Sequence, residues 1–284
     1  MNENRTALVT GASTGIGEAC ATLLAEHGWM VYAGVRKKTD GERLESVDPD
    51  HIRSIQLDVT KPDQIAAAAS RLRKEQGRLD GLVNNAGIAV AAPVEFVPID
   101  MFRTQLEINV TGQVAVTQAF LPLIREARGR VVFMSSTSGF LSTPFMAPYC
   151  ASKFAIDAVA DALRMEVKPW GIEVISVQPG AIETPIWDKS QGLADSLAAS
   201  MPAEAMDLYG RGVDAMRAEL ARTVKNRLIP AGDVAKCVLH ALSARRPRTR
   251  YRPGKDALPQ YVLADFQPDR LRDLAILKAI GLPR

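Results

Sequence analysis

Short runs rich in Val, Ile and Leu alternate along the chain with longer segments whose apolar residues recur at helical spacing. This alternation is typical of repeated β–α–β units, in which helices cover both faces of a mostly parallel sheet. The apolar runs predict strands at residues 7–10, 30–35, 52–57, 81–84, 130–135 and 173–178, and a short edge strand near Arg250. The helical periodicity predicts helices at residues 16–27, 62–76, 100–127, 149–168 and 233–244. Pro122 should end or kink the third helix locally.

No linker or internal repeat interrupts this pattern, so we expect one α/β domain over residues 1–284. Residues 185–226 are helical in pattern and rich in Met, Leu and aromatic side chains. They are interpreted either as a helical lid over a site at the carboxyl edge of the sheet or as a helical pair that completes the core. The apolar extension at 256–284 fits a pocket cover, an oligomer contact or a membrane-surface helix, and we favour the first two.

The composition is that of an ordinary globular protein, with 47% apolar and 24% charged residues and a net charge of +3. The basic run at 245–255 could touch nucleic acid, but we interpret it as a solvated loop at a sheet edge and expect no nucleic-acid partner. We also expect no metal site, because the three cysteines lack metal-ligand spacing, and no transmembrane segment. The start of the chain has no room for a signal peptide, which favours a cytoplasmic location.

A glycine-rich turn, TGASTGIG, follows the first predicted strand. Glycines at this point let the chain turn tightly and let a pyrophosphate approach the backbone, while the following helix offers its positive N-terminal end. A glycine-rich turn can also be only a turn. If the turn is a dinucleotide site, we expect the cofactor to be bound by Gly11, Ser13, Thr14, Gly15 and Ile16.

The cofactor's ribose should lie near the end of the second strand, where the sequence reads VYAGVRKK. Gly34 stands where a carboxylate would select NAD, and Arg36 and Lys37 follow it. Two cations without a carboxylate suit a 2′-phosphate, so NADP is preferred and NAD is less suited. The alternative is that both cations are solvated residues beyond a strand end.

Two later strand ends add candidate contacts to the same cofactor. Asp58 follows the third strand, where it can hold an adenine edge next to Val59. The NNAG stretch follows the fourth strand, and its small residues would let a flat group slide against the backbone. From this stretch we assign Asn85, Ala86 and Gly87 to the cofactor.

Tyr149 and Lys153 lie at positions i and i+4 of a predicted helix, so their polar ends can converge. A tyrosine that acts as an acid or base at neutral pH needs its pKa lowered by about three units from its ordinary value near 10. An ammonium about 4 Å away supplies that order of energy at an effective dielectric of about 20. Ser136 ends a buried strand before this helix and could hydrogen-bond to a substrate oxygen beside the phenol.

Taken together, TGASTGIG, NNAG, Ser136, YCASK and QPGAIET resemble the short-chain dehydrogenase/reductase family over residues 5–252. The resemblance implies a doubly wound, seven-stranded Rossmann sheet and hydride transfer between a nicotinamide and a carbonyl or secondary alcohol. It implies that Tyr149 exchanges the proton, that Lys153 lowers the pKa of Tyr149 and binds the nicotinamide ribose, and that Ser136 orients the substrate. Asn109 would hold a water linked to Lys153. The segment that holds the carboxamide would contribute Pro179, Gly180, Ile182 and Thr184.

Within the family, YCASKFA, the preceding PF and the late RPRTRYRPG are similar to members that act on steroids and retinoids, including 17β-hydroxysteroid and retinol dehydrogenases. We therefore expect a lipophilic small-molecule substrate, and by analogy a homodimer or homotetramer. The alternatives are NAD(H) with a small or aliphatic hydroxy or keto substrate, and a catalytically silent NADP-binding regulator.

Overall fold

The sheet has seven strands, and all of them are parallel. The structure is a computed structural model that describes residues 5–282, without the side chains of residues 188 and 189. The strands of the sheet are β1 (Thr6–Thr10), β2 (Met30–Val35), β3 (Ile52–Gln56), β4 (Gly81–Asn84), β5 (Arg130–Met134), β6 (Glu173–Val177) and β9 (Arg250–Tyr251). Two short strands, β7 (Ile182–Glu183) and β8 (Ile229–Pro230), pair with each other outside this sheet. The order of the seven strands is β3-β2-β1-β4-β5-β6-β9. The chain reverses its winding direction between β1 and β4, and ligands of such sheets bind at this point, beyond the carboxyl ends of the strands.

Helices connect these strands and cover both faces of the sheet. They are α1 (Gly15–Glu26), α2 (Lys38–Glu45), α3 (Pro62–Gln76), α4 (Ile99–Leu106), α5 (Gly112–Ala127), α6 (Ala147–Glu166), α7 (Ile186–Ser200), α8 (Ala203–Asn226), α9 (Ala231–Ser243), α10 (Ala257–Phe266) and α11 (Asp269–Ile280). One π-helical turn, Glu107–Thr111, joins α4 to α5, and a 3-10 turn, Thr137–Gly139, follows β5.

Two apolar cores lie on the two faces of the sheet. Helices α1 and α9 pack on one face, around Leu24, Trp29 and Val238. Helices α3, α5 and α6 pack on the other, around Leu72 and Phe120 and further apolar side chains of β4 to β6. Strand residues are buried on both sides, which explains why they form continuous apolar runs instead of alternating with polar residues. The α/β prediction with a doubly wound seven-stranded sheet is confirmed.

The predicted strands and helices agree with the structure to within one or two residues at most ends, and the main differences have physical causes. Helix α2 was not predicted, because it is short and largely polar. The predicted helix at 100–127 does not end at Pro122, which lies inside α5. Proline lacks the N–H that would bond to the Gln118 carbonyl, but Gln118 is exposed, so water can supply that bond. A further irregularity in the predicted helix is the π turn at 107–111.

Candidate active site

A cavity of about 1520 Å³ opens at the carboxyl ends of the strands. Ligand pockets for one drug-sized molecule have volumes of roughly 300–1,000 Å³. The cavity therefore has room for a dinucleotide and a second molecule. It is lined by residues from the glycine-rich turn, from the ends of β2 to β6, and from α7, α8, α10 and α11.

The glycine-rich turn forms one wall of the cavity and fits a bound pyrophosphate. Gly11 and Gly15 have φ of 63° and 61°, a conformation that side chains disfavour. A Cβ atom on Gly17 would overlap the carbonyl oxygen of Gly11, so only glycine allows α1 to approach the turn this closely. Within residues 5–282, Thr14 makes no side-chain capping bond to the start of α1. The first-turn N–H groups and the positive end of α1 thus face the cavity, as an anionic ligand requires.

The NNAG stretch after β4 is tied directly to this turn. Asn85 donates from Nδ2 to the carbonyl oxygens of Thr10 and Gly11, at 3.0 and 3.1 Å. The Thr10 hydroxyl accepts from the backbone N–H groups of Asn85 and Ala86, at 2.9 and 3.0 Å. Asn85, Ala86 and Gly87 all line the cavity. These bonds hold the two backbone segments that flank the switch point in one rigid arrangement.

The structure brings Arg36, but not Lys37, to the cavity wall. Arg36 lines the cavity together with Gly34, Asp58 and Val59. Lys37 lies in a separate shallow hollow with Lys38 and residues of β3. Burial tends to raise the pKa of Asp58, but hydrogen bonds from Thr60 and the charge of Arg36 outweigh it and lower that pKa. The strand end therefore presents the exposed guanidinium of Arg36 to a ligand, while the assignment of Lys37 to the cofactor stays a prediction.

Tyr149, Lys153 and Ser136 meet at the base of the cavity, as their spacing predicted. Tyr149 and Lys153 lie on successive turns of α6, and Lys153 Nζ lies 5.6 Å from the centre of the Tyr149 ring. Lys153 Nζ donates to the Met134 carbonyl oxygen at the end of β5, at 2.7 Å. Ser136 follows two residues later, and its hydroxyl accepts from the Ser138 N–H at 3.1 Å. The hydroxyl is thereby oriented beside the phenol.

The pKa values at this site differ from the sequence-based expectation. Burial raises the pKa of Tyr149 to about 12, and the hydrogen bond with Ser136 lowers it only in part. Burial also lowers the pKa of Lys153 to about 8, while the charge of Asp157 acts in the opposite direction. The causes of this shift are burial, Ser136 and Cys150, so the lowering of the Tyr149 pKa by Lys153 stays a prediction. The ammonium is directed at Met134 instead of at the phenol oxygen, and the phenolate would be poorly solvated.

Asn109 lies one layer behind the cavity, in the π turn. Its side chain accepts from the Ile88 N–H at 2.9 Å and donates to the Ile88 carbonyl at 3.0 Å and to Ser152 Oγ at 3.1 Å. Gln105, one turn earlier, bonds in the same way to Val90 and Ile88. The sequence analysis did not identify Gln105 or Ser152. Gln105 could have been found, because it lies four residues before Asn109 and therefore on the same helical face. Together these amides position the NNAG stretch against α6.

The other end of the cavity is formed by the segment after β6 and by the later helices. Pro179, Gly180, Ile182 and Thr184 all line the cavity. The Pro179 carbonyl accepts from the Thr137 N–H at 2.9 Å, which ties this segment to the turn after Ser136. Thr184 lies against Gly15, where a Cβ would approach it to 3.0 Å. The predicted carboxamide segment thus lies between the glycine-rich turn and Ser136.

Apolar side chains dominate the wall beyond Tyr149. They come from the loop before α6 and from α8 and α11, and include Leu141, Phe145, Met206, Met216, Ile276 and Ile280. Phe145 has φ of 65°, a strained conformation for a side chain of its size. Its ring packs edge-on against Tyr209 of α8, with ring centres 6.3 Å apart. Burial of this ring against α8 offsets the strain and shapes the apolar wall.

No helix among residues 5–282 is long and apolar enough to cross a membrane. The same residues contain no cluster of His, Cys, Asp and Glu side chains that could hold a metal ion.

Comparison with known proteins agrees with this geometry. D-beta-hydroxybutyrate dehydrogenase, mitochondrial, of Bos taurus is 36% identical over 265 residues, which are 88% of this chain and 77% of the relative. Retinol dehydrogenase 5 of Mus musculus is 34% identical over 283 residues, 97% of this chain and 88% of the relative. A crystal structure of a short chain dehydrogenase from Burkholderia cenocepacia J2315 in complex with NADP has a TM-score of 0.72 at 27% identity and covers 99% of both chains.

The sequence model of the short chain dehydrogenase family matches residues 5–193, which include the glycine-rich turn, the NNAG stretch and the Ser136, Tyr149 and Lys153 group. The relatives extend this similarity across most of the remaining chain. The chain therefore belongs to the short-chain dehydrogenase family, whose members bind NAD(P), and it is an oxidoreductase that acts on alcohols or ketones.

Proposed function

We propose that the protein transfers a hydride between NADP(H) and a lipophilic ketone or secondary alcohol. The observation that carries this proposal is the position of Tyr149 and Ser136 at the base of a cavity whose far wall is apolar. Met, Leu and Ile side chains suit a bulky hydrophobic ligand, because they exclude water and adapt to its shape. The silent-regulator alternative is disfavoured, since Ser136, Tyr149 and Lys153 are all present and adjacent.

In this proposal each residue has a defined task. When bound, the nicotinamide supplies the hydride for reduction of the carbonyl carbon. Tyr149 donates its proton to the substrate oxygen, and a phenol with a pKa of about 12 is protonated at neutral pH and ready to do so. Ser136 donates a hydrogen bond to the same oxygen. Lys153 binds the nicotinamide ribose, and Pro179, Gly180, Ile182 and Thr184 hold the carboxamide.

The preference for NADP rests on the strand end at Gly34. Arg36 lines the cavity there, and a planar guanidinium suits a 2′-phosphate. The structural relative in complex with NADP supports the same choice. The glycine-rich turn would hold the pyrophosphate, and Asp58, Val59 and the NNAG stretch would contact the adenosine side of the cofactor.

The similarity to D-beta-hydroxybutyrate dehydrogenase favours a second candidate, a small hydroxy or keto acid as substrate. Such a substrate needs a cation for its carboxylate, and Arg217 on the cavity wall is a candidate. However, Arg217 is already paired with Asp195, Nη2 to Oδ1 at 2.6 Å, and its charge is thereby compensated. We therefore rank the lipophilic substrate first.

Two further proposals concern the protein as a whole. Helices α7 and α8 line the cavity over the substrate end, and we assign them the role of a substrate lid. The outer face of α6 carries the exposed side chains of Phe154 and Met165, which supports the predicted homodimer or homotetramer. The cytoplasmic location stays a prediction from the sequence.

The test is an assay of NADPH and NADH oxidation with steroid, retinoid and other bulky apolar ketones, and with a small 3-keto acid. Turnover of the bulky ketones with NADPH supports the proposal, whereas turnover of only the keto acid supports the second candidate. Tyr149→Phe should reduce turnover of the preferred substrate to background and leave the Kd of NADPH within about twofold, because the phenol oxygen supplies only the proton. An active Tyr149→Phe variant would refute the role of the phenol.

A further inference from the structure

Asp157 is a buried carboxylate one turn after Lys153 on α6, and none of the roles assigned so far uses it. Only 7% of its surface is exposed. A carboxylate at such a position is costly unless several donors compensate its charge. Whether Asp157 stays charged therefore depends on the groups around it. The side chains that donate to it come from the ends of β5 and β6, which form part of the active site.

Three side chains donate to this carboxylate from two strands. Oδ2 accepts from Ser135 Oγ at 2.7 Å and from Gln178 Nε2 at 3.0 Å. Oδ1 accepts a short hydrogen bond from Ser176 Oγ. Each of the three donors is at most 3% exposed. One carboxylate thus joins the end of β5 to the end of β6 and joins both to α6.

The strand residues held in this way are the immediate neighbours of functional groups. Ser135 precedes Ser136, and Gln178 precedes Pro179 and Gly180. Gly139, at the end of the 3-10 turn, packs so closely that a Cβ there would overlap Asp157 Oδ2. The carboxylate therefore lies at the centre of the three segments that carry Ser136, the carboxamide-holding residues and the Tyr149–Lys153 pair.

We propose that Asp157 is a positioning residue for catalysis: its carboxylate fixes Ser135 and Gln178 relative to α6 and holds Lys153 in its charged form. This inference rests on the function proposed above. Asp157 lies one helical turn after Lys153, and its charge raises the pKa of Lys153 in opposition to burial. Without that charge, Lys153 would lose its proton at a lower pH and bind the cofactor ribose and the Met134 carbonyl more weakly.

The titratable groups near this pair are few. Tyr149 and Cys150 precede Lys153 on α6, and burial raises the pKa of both. Asp161 follows one turn later and is paired with Arg164 and Arg250. The ends of β5 and β6 and the turn at 137–139 present hydroxyl, amide and backbone groups to Asp157. Asp256 lies against Gly180, two residues after Gln178. A change in the pH profile that appears in Asp157→Asn and not in Asp161→Asn is attributed to Lys153 and Tyr149.

The test compares Asp157→Asn with the matched control Asp161→Asn, which makes the same chemical change one turn further along the helix. The pH profile of kcat for carbonyl reduction is measured for both variants and the wild type. In Asp157→Asn the alkaline limb should move to lower pH by about one unit, because the neutral amide no longer favours the charged ammonium. In Asp161→Asn the limb should stay in place. An unchanged limb in Asp157→Asn overturns the inference.

A second variant keeps the proposal testable if Asp157→Asn does not fold. Ser176→Ala removes one donor from the carboxylate at a position outside the cavity wall, and kcat should fall about threefold or more because Asp157 is held less rigidly. Ser176→Thr restores the hydroxyl and should restore kcat. A wild-type kcat in Ser176→Ala overturns the positioning role. An inactive wild type with every ketone would instead be a failure of the proposed function, so the two failures are distinguishable.

Discussion

Lys153 shows how a residue can serve a reaction at the expense of stability. Its side chain is only 4% exposed, and its ammonium is compensated by one carbonyl and by the more distant Asp157. Burial lowers its pKa from 10.5 to about 8, which corresponds to about 3 kcal/mol of destabilisation while the group is charged. The unfolded chain then binds more protons than the folded protein between pH 8 and 10.5. Stability from this group therefore rises with pH across that window.

Lys153→Met tests this sign directly. The variant removes the titrating group but keeps most of the buried stem. Its free energy of unfolding, relative to that of the wild type, should decrease by about 3 kcal/mol as the pH rises from 7 to 10.5, because only the wild type gains stability there. The constant cost of the unpaired Met134 carbonyl cancels from this comparison. Urea denaturation of both apoproteins at several pH values measures it, and parallel pH dependences would contradict a lowered pKa of Lys153.

Arg36 and Lys37 provide an equally sharp test of cofactor choice, since they are neighbours with the same charge but different positions. Arg36→Ala should weaken NADPH binding about tenfold or more and leave NADH binding nearly unchanged, because it removes hydrogen bonds to a charged phosphate. Lys37→Ala is the control and should leave both affinities nearly unchanged, since Lys37 lies outside the cavity wall. Fluorescence titrations measure the Kd of NADPH and of NADH for each variant, and each Kd is divided by that of the wild type. Equal losses for NADPH and NADH in Arg36→Ala would remove the basis for NADP selection.

Sequence spacing predicted which residues meet in the active site, but it did not predict their pKa values. The i,i+4 relation of Tyr149 and Lys153 follows from helix geometry alone, and Asp157 could have been found by extending the same relation by one turn. The direction of the Tyr149 pKa could not be predicted in this way. It depends mainly on how deeply the fold buries the phenol, and helical spacing does not show that burial.

At the scale of elements, the prediction succeeded where burial dictated the pattern. Strands β2 and β4 were located because parallel strands covered on both faces read as continuous apolar runs. The π turn at 107–111 was missed, because i→i+5 and i→i+4 bonding produce nearly the same apolar periodicity over one turn. The short helix α2 was missed because its residues are mostly polar. Of the three roles left open for the C-terminal extension, the position of α11 on the cavity wall favours the pocket cover.

Two residues on opposite sides of α11 test this role. Ile276 is buried and lines the cavity, whereas Leu274 is 42% exposed on the outer side. Ile276→Ala should raise the KM for a bulky apolar ketone about tenfold, because it removes several buried methylene-sized contacts with the substrate. The KM for NADPH should stay the same. Leu274→Ala should change neither constant. An equal effect of the two substitutions would show that α11 does not contact the substrate.

At the scale of the molecule, the parallel seven-stranded sheet was predicted from the alternating pattern and the family resemblance. The outer surface bears on a separate question, the assembly of the chain. The exposed residues of α6 are Ala151, Phe154, Ala158, Ala162 and Met165, together with Glu166 at its end. Phe154 and Met165 are 43% and 68% exposed, and together they place two large apolar side chains on one helix face. Positions 154 and 165 are separated by about three helical turns and therefore lie on the same side of the helix. Small residues between them allow a second helix to approach closely.

Phe154→Glu should therefore convert the predicted dimer or tetramer into smaller species, because a buried carboxylate without a partner is too costly at the centre of an apolar interface. Val47→Glu is the matched control, since Val47 is 52% exposed near the end of α2 and far from this face in sequence and fold. Sedimentation velocity of the wild type and both variants measures the assembly, and circular dichroism checks that each variant is folded. The wild type should sediment as a dimer or tetramer, Val47→Glu should match it, and Phe154→Glu should shift towards the monomer. A monomeric wild type would leave the α6 face without the proposed partner and would contradict the oligomer prediction.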